Sequence, residues 1–79
     1  MKIPAIKQLV EKYTISDLKD AEQCLFEDQP LPIEVAGEDD GEKLTHILAA
    51  IEILEDMAKG DDYMKALRKY TQRVRNSIS

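Results

Sequence analysis

The sequence predicts a small all-α protein: a four-helix bundle with orthogonal or irregular packing and an extended, proline-rich strap between helices 2 and 3. Three observations predict this class. Apolar residues recur at helical spacing in four segments, capping residues precede those segments, and 79 residues suffice for one domain. We therefore expect a single helical domain over residues 1–79, with helices at about 4–13, 15–28, 40–59 and 63–76.

The first two helices are predicted from a proline, an apolar stripe and a capping motif. Pro4 suits the first turn of a helix, and Ile6 and Leu9 begin a stripe at helical spacing. Thr14 and Asp17 then stand in the positions of a capping box, with aspartate in place of the usual glutamate. Two helices joined through one capping threonine should meet at a tight corner.

The segment after the second helix should be an extended strap. Pro30 and Pro32 each remove a backbone donor and bias the preceding residue toward extended geometry. We expect Leu31, Ile33 and Val35 to alternate toward the core. A short β-bridge in this segment, within the chain or across a subunit boundary, is left open by the pattern.

The third helix is the longest and most apolar. Asp39 with Glu42 offers its cap, and Gly60 is a suitable terminator. Its main predicted stripe consists of Leu44, Ile47, Leu48, Ile51, Leu54 and Ala58. Three further apolar residues widen the stripe past half the circumference; these are Ala50, Ile53 and Met57.

The fourth helix has an apolar face and a basic face. Asp61 or Asp62 should cap it. The apolar face carries Tyr63, Leu67, Tyr70, Val74 and Ile78. The opposite arc carries five cations, which form the basic face: Lys65, Arg68, Lys69, Arg73 and Arg75.

The width of the third helix's apolar surface predicts self-association. Chains of this length commonly gain stability from disulfides, metals or oligomerisation, and the composition favours the last. We therefore expect a homodimer with two-fold symmetry. Its predicted contact residues lie on the third helix, with Tyr63 or Tyr70 contributing; they are His46, Ala50, Ile53 and Met57.

The charge distribution disfavours nucleic acid as a partner. The formal net charge is −5, whereas binding to phosphates needs surplus cations. Residues 1–60 carry a net charge of −8 and residues 61–79 a net charge of +3. Pairing of the basic face with acidic residues, within one chain or between copies, is the plainer interpretation. Contact with nucleic acid through the basic face is the alternative.

No residue pattern predicts catalysis, a cofactor or a metal site. Cys24 is the single cysteine, and nearby carboxylates disfavour its thiolate. His46, the single histidine, could be a phosphoacceptor on a helix, but a packing or interface role fits its apolar neighbours better. The acidic run 38–42 fails as a calcium loop because Ala36 and Ile47 occupy positions that need carboxylates. We expect a non-enzymatic protein.

The chain contains no apolar run near the roughly 20 residues that span a bilayer. Its first residues, Met1–Pro4, also lack the apolar core of a secretory signal. These features predict a cytoplasmic protein that does not contact membranes.

Four stretches of the chain carry a resemblance to a known group of proteins. These are residues 1–4, 29–35, 41–51 and 71–75, which read MKIP, QPLPIEV, GEKLTHILAAI and TQRVR. Together they resemble an uncharacterised family of short bacterial proteins over essentially the whole chain. The resemblance brings no catalytic motif. It implies at most an accessory role in thiol redox housekeeping, with Cys24 as the residue concerned.

These observations favour an interaction or adaptor protein with an unknown protein partner. A small nucleic-acid regulator and a redox accessory protein are the alternatives.

Overall fold

The computed structural model describes the backbone of residues 2–78 and the side chains of residues 2–75. Four helices account for most of this part of the chain: α1 (Ile3–Lys12), α2 (Ile15–Phe26), α3 (Asp40–Ala58) and α4 (Tyr63–Ile78). Residues 2–78 contain no strand or bridge, so the strap forms no β-bridge with the described part of its own chain. The predicted fold class, a small all-α bundle, is confirmed. The first and last residues of the predicted domain lie outside the described part, and the side chain of Ile78, predicted on the apolar face of the fourth helix, lies outside the described side chains.

A capping box forms the corner between α1 and α2, as predicted. The Thr14 side-chain oxygen accepts a hydrogen bond from the Asp17 amide at 3.2 Å, and the Thr14 amide donates to the Asp17 carboxylate at 3.1 Å. The chain turns here because Tyr13 and Thr14 are both extended, with φ of −127° and −94°. Two otherwise orphaned amides are thereby satisfied.

The end of α2 is set by a left-handed residue, before the chain reaches its prolines. Asp28 has φ of +58°. The Gln29 amide donates to the Cys24 carbonyl at 2.8 Å and the Asp28 amide donates to the Leu25 carbonyl at 3.3 Å. This pair of bonds is a Schellman motif. It ends α2 at Phe26, two residues earlier than predicted.

Helix α3 ends in the same way, at the glycine predicted from the sequence. Gly60 has φ of +115°, and the Asp61 amide donates to the Asp56 carbonyl at 3.2 Å. A non-glycine residue tolerates this conformation poorly. The sharp reversal directs α4 back along α3.

Aspartates cap the starts of α3 and α4. The Asp39 carboxylate accepts from the Glu42 amide at 2.7 Å, which confirms the predicted cap of α3. For α4, the Asp62 carboxylate accepts from the Lys65 amide at 2.8 Å. Of the two candidates, Asp62 therefore forms the cap, and Asp61 is free to contact lysine side chains.

Helix α3 is the centre of the bundle, because each of the other three helices packs against it. The core combines one face of each helix with the end of the strap. Its buried apolar residues are Ile6, Leu9, Val10, Leu18, Ala21, Val35, Ile47, Ala49, Ala50, Ile51, Ile53, Ala66 and Tyr70.

The buried face of α3 is rotated about the helix axis by about a quarter of a turn from the centre of the predicted apolar stripe. Ala50 and Ile53, which were predicted to widen the stripe, are fully buried. Leu48, a residue at one edge of the predicted stripe, is 42% exposed. Apolar periodicity could not locate the centre of the buried face, because more than half of the circumference of α3 is apolar.

The strap packs as the alternating pattern predicts. Leu31 and Ile33 are half-buried against the core and Val35 is buried, whereas Pro32 and Glu34 are exposed. The strap therefore covers part of the core without forming regular secondary structure.

Gly37 joins the strap to α3 in a conformation and a space that suit only glycine. Its φ is +152°, and a Cβ at this position would lie 2.8 Å from Lys43 Cγ and 3.1 Å from the Lys43 amide nitrogen. The close approach to the backbone of α3 cannot be relieved by moving a side chain alone.

We predict that Gly37→Ala lowers the free energy of unfolding by at least about 1–2 kcal/mol, since it adds both strain and a clash. The control is Gly41→Ala, within the first turn of α3, where a Cβ meets only the Asp39 carboxylate at 3.4 Å. That change should be neutral or stabilising by up to about 1 kcal/mol. Urea unfolding of both variants checks the prediction, and equal stabilities would contradict it.

Candidate protein-interaction site

An open groove of about 560 Å³ lies where the end of α2, the strap and the start of α3 meet. The groove exists because the Schellman motif directs the chain away from α2 and the strap then returns to α3. We call it the strap groove. It is lined by Leu25, Asp28, Gln29, Pro30, Leu31, Ile33, Glu34, Val35, Asp40 and Lys43.

Apolar side chains and carboxylates share the lining of the strap groove. Leu25, Leu31 and Ile33 are half-buried there, so each still offers apolar surface to a bound molecule. The charged lining residues are three exposed carboxylates and one half-buried lysine: Asp28, Glu34, Asp40 and Lys43. This chemistry suits a ligand that is partly apolar and positively charged.

A large exposed aromatic side chain lies beside this region in the chain. Phe26 is 67% exposed at the last position of α2, directly after the groove residue Leu25. An exposed phenylalanine is a common anchor at protein interfaces. The other large apolar side chains that are exposed among the described residues are Ile3, Leu48 and Met64.

His46 is a structural residue that joins three parts of the chain. Its ring is fully buried. The Lys2 amide donates to Nε2 at 3.0 Å, and Nδ1 lies 2.8 Å from the Ala36 carbonyl oxygen. We assign the proton to Nδ1, since Nε2 must accept and Nδ1 must donate. Both ring nitrogens are occupied, so the phosphoacceptor interpretation is wrong for this fold.

The predicted self-association residues do not form an exposed patch. His46, Ala50 and Ile53 are fully buried by the other elements of the same chain, and Met57 is half-buried. Of the two tyrosines expected to contribute, Tyr70 is buried and Tyr63 is half-buried. The sequence-based placement of the contact surface is therefore corrected. The side of α3 that carries His46, Ala50 and Ile53 is covered by other elements of the same chain.

Part of the basic face is paired with acidic residues of the same chain. Arg73 bonds Glu52 at 2.8 Å and Asp56 at 3.2 Å, both on α3. Asp61 pairs with Lys69 at 2.6 Å and with Lys65 at 3.6 Å. These contacts agree with the plainer interpretation of the charge pattern, intrachain pairing.

The pairing is also visible in the pKa values of one ion pair. The hydrogen bond from Lys69 is the main reason that the pKa of Asp61 lies below its ordinary value. The same bond raises the pKa of Lys69 above its ordinary value. Arg68 and Arg75, in contrast, form no ion pair with any described residue.

Burial affects two tyrosines of α4. Desolvation, with a smaller contribution from Glu11, raises the pKa of Tyr63. Desolvation, with Glu52 nearby, also raises the pKa of Tyr70. Both phenols therefore ionise at a higher pH than an exposed tyrosine does.

Cys24 is a half-buried free thiol on α2. Within residues 2–75, whose side chains the structure describes, no cluster of three or more histidine, cysteine or carboxylate side chains has the arrangement of a metal site. The described helices also include none long and apolar enough to cross a bilayer.

Comparison with known proteins identifies one family. Residues 1–79 match the model of a family described as "Family of unknown function (DUF6952)". The chain belongs to this family, in agreement with the resemblance found in the sequence. No curated protein and no solved structure matched the chain.

We predict that His46→Leu lowers the free energy of unfolding by about 2–4 kcal/mol, because the Lys2 amide and the Ala36 carbonyl both lose their partner. The control is Thr45→Ala, which removes one exposed bond to Gly41 at 3.0 Å and should cost no more than about 0.5 kcal/mol. Unfolding in urea and hydrogen exchange at the Lys2 amide provide the measurements. Equal losses in the two variants would rule out the linking role of His46.

Proposed function

We propose that this protein is a non-enzymatic interaction module, or adaptor, that binds a protein partner in the strap groove. The observation that carries the proposal is the groove itself: it combines half-buried leucine and isoleucine surface with exposed carboxylates, and no described segment of the chain fills it. Concave apolar surfaces with a few polar groups at the rim are typical binding sites.

The position of the groove also supports a binding role. Its walls come from one helix end, one helix start and the irregular strap between them. Segments of this kind commonly carry binding residues on a rigid scaffold. Here the scaffold is the α2–α3 pair, whose apolar contacts hold the two ends of the strap in place.

We expect a photo-crosslinking amino acid at Glu34, an exposed groove residue, to capture a discrete protein partner when the full chain is expressed in its native cell. The matched control is the same group at Glu55, an exposed residue of α3 outside the groove. Excess untagged protein should compete away the Glu34 adduct.

An untagged competitor that carries Leu31→Asp should leave the adduct from position 34 in place, provided circular dichroism shows that the competitor retains its helices. Identical adducts from positions 34 and 55, or equal competition by both proteins, would contradict binding in the groove.

Self-association is a second candidate, on a different surface from the one expected. Leu48 is 42% exposed on α3, and Leu44, one turn earlier, is half-buried. These two leucines are apolar surface that the chain's own helices leave uncovered on α3. A homodimer through this surface would place α3 against its own copy around a two-fold axis.

The test is sedimentation at increasing protein concentration. A homodimer predicts a mass that rises from 9.0 kDa toward twice this value. Leu48→Glu should hold the protein at the mass of one chain, because it places a charge in the contact. Met64→Glu, at an exposed apolar site on α4, should leave association unchanged. A wild-type protein that stays a single chain throughout would exclude the homodimer.

The nucleic-acid alternative draws less support from the charges. Lys65, Lys69 and Arg73 pair with acidic residues of the same chain, which leaves Arg68 and Arg75 for phosphates. Sequence-independent binding needs several such contacts. The redox alternative rests on Cys24 alone.

A further inference from the structure

Two helix ends meet at the strap groove, and neither end offers it a net positive charge. The C-terminal end of α2 carries the negative end of the helix dipole, and its last turn contains no basic residue. Glu27 and Asp28 follow this end and add two carboxylates. The start of α3 lies on the other side of the groove, where its positive dipole end is matched by Asp39, Asp40 and Glu42. The electrostatic field of both helix ends therefore favours a cation in the groove.

Three carboxylates of the lining are accessible to such a cation. We call Asp28, Glu34 and Asp40 the carboxylate rim. All three are exposed, and none forms an ion pair with a described residue. Among the described lining residues they are opposed by Lys43 alone, which is half-buried. The charges therefore complement a partner that carries several lysine or arginine residues.

The lining also provides an apolar wall, which consists of Leu25, Leu31 and Ile33. Each of these side chains is half-buried, so it packs on the core and still offers surface to the groove. Phe26, which is 67% exposed, adds a large apolar side chain at the same end of α2. A purely charged ligand would leave this surface in water, whereas a ligand with both apolar and cationic side chains covers it.

The form of the strap indicates that side chains make the contact with a partner. The strap contains no strand, and a bend at residues 32–33 interrupts its extended course. Val35 is 8% exposed, so it offers a ligand little surface. A helix forms its own backbone hydrogen bonds and needs none from the groove. It also presents apolar and charged side chains together on one face, and docking of such a face in a groove is a common mode of recognition.

The groove is preformed, because its irregular wall is anchored at both ends. At the start of the strap, the Gln29 amide donates to the Cys24 carbonyl at 2.8 Å. At its end, the Ala36 carbonyl oxygen lies 2.8 Å from His46 Nδ1. A site that is held in place before binding loses less conformational entropy when a partner docks.

We propose that the strap groove binds an amphipathic, basic α-helix of another protein. The apolar residues of this helix contact the apolar wall and Phe26, and its lysine or arginine residues face the carboxylate rim. The inference rests on the proposed function and adds the kind of partner.

The experiment is an NMR titration of the full chain with three synthetic peptides of about 18 residues, a length that can form a helix. The first carries leucine at positions i, i+3, i+4 and i+7, lysine beside the leucines, and alanine elsewhere. The second replaces each lysine by glutamate. The third keeps the leucines and lysines but has proline at two central alanine positions, which prevents the helix. Amide shifts identify the binding site, and their concentration dependence gives the affinity.

We expect the leucine–lysine peptide to shift the amides of residues 25–35 and 40–43, apart from the prolines. It should bind at least about tenfold more tightly than either other peptide, because only this peptide combines the helix with the complementary charge. Its far-ultraviolet circular dichroism should show added helix in the complex, since docking selects the helical form.

Matched protein variants test the carboxylate rim. Asp28→Asn with Glu34→Gln should weaken binding of the leucine–lysine peptide about three- to tenfold, because two exposed charge contacts are lost. Asparagine suits position 28, where φ is +58°. Glu55→Gln, at an exposed site of α3 outside the groove, should leave the affinity unchanged. Equal affinities of both variants and the wild-type protein would overturn contact at the rim.

The peptide ranking contains the other outcomes that would overturn the inference. Equal affinities for the lysine and glutamate peptides would exclude a basic partner. Equal affinities for the lysine and proline peptides would exclude a helix. Absence of binding by every peptide would overturn the inference as a whole.

The crosslink from position 34 separates a failure of this inference from a failure of the proposed function. A competed adduct of twice 9.0 kDa would identify a second copy as the occupant and overturn the inference, while the groove would remain an interaction site. A competed adduct of another mass, together with no binding by any peptide, would also keep the proposed function and overturn the inference. Loss of the adduct would remove the proposed function as well.

Discussion

The burial of α3 is the constraint on which the rest of the structure depends. This helix is apolar over more than half of its circumference, and a surface of that width has to be covered on both flanks. The chain provides the cover itself, because α1, α2 and α4 each pack on α3. Ala50 and Ile53 are consequently in the core. The large apolar side chains that stay exposed among the described residues are Ile3, Phe26, Leu48 and Met64.

A single polar residue completes the packing around α3 where apolar contact alone could not. Buried His46 accepts a bond from the Lys2 amide and bonds the Ala36 carbonyl, so it holds the start of α1 and the end of the strap on one helix. A fully buried ring nitrogen without a partner would be costly. The two bonds satisfy both ring nitrogens of His46, and they position the strap that forms the groove.

Charge is distributed unevenly over the folded chain. On the α3–α4 side, Arg73 bonds Glu52 and Asp56, so the basic helix compensates part of the acidic body. At the strap groove, three lining carboxylates face one lysine. The difference arises because α4 returns along α3 and does not line the groove. The strap groove therefore keeps an acidic character, whereas the basic face is partly neutralised by carboxylates of the same chain.

Local patterns determined most of the secondary structure from the sequence alone, because caps, turns and alternation act over a few residues. The Thr14–Asp17 box, the Asp39 cap, the Gly60 terminator and the alternation along the strap all form as predicted. Three features needed the tertiary structure: the buried face of α3, the partners of His46, and the strap groove. Each depends on residues distant in the chain, such as Lys2 and His46, and a helix that is apolar on most sides carries no local signal of which neighbour will cover which side.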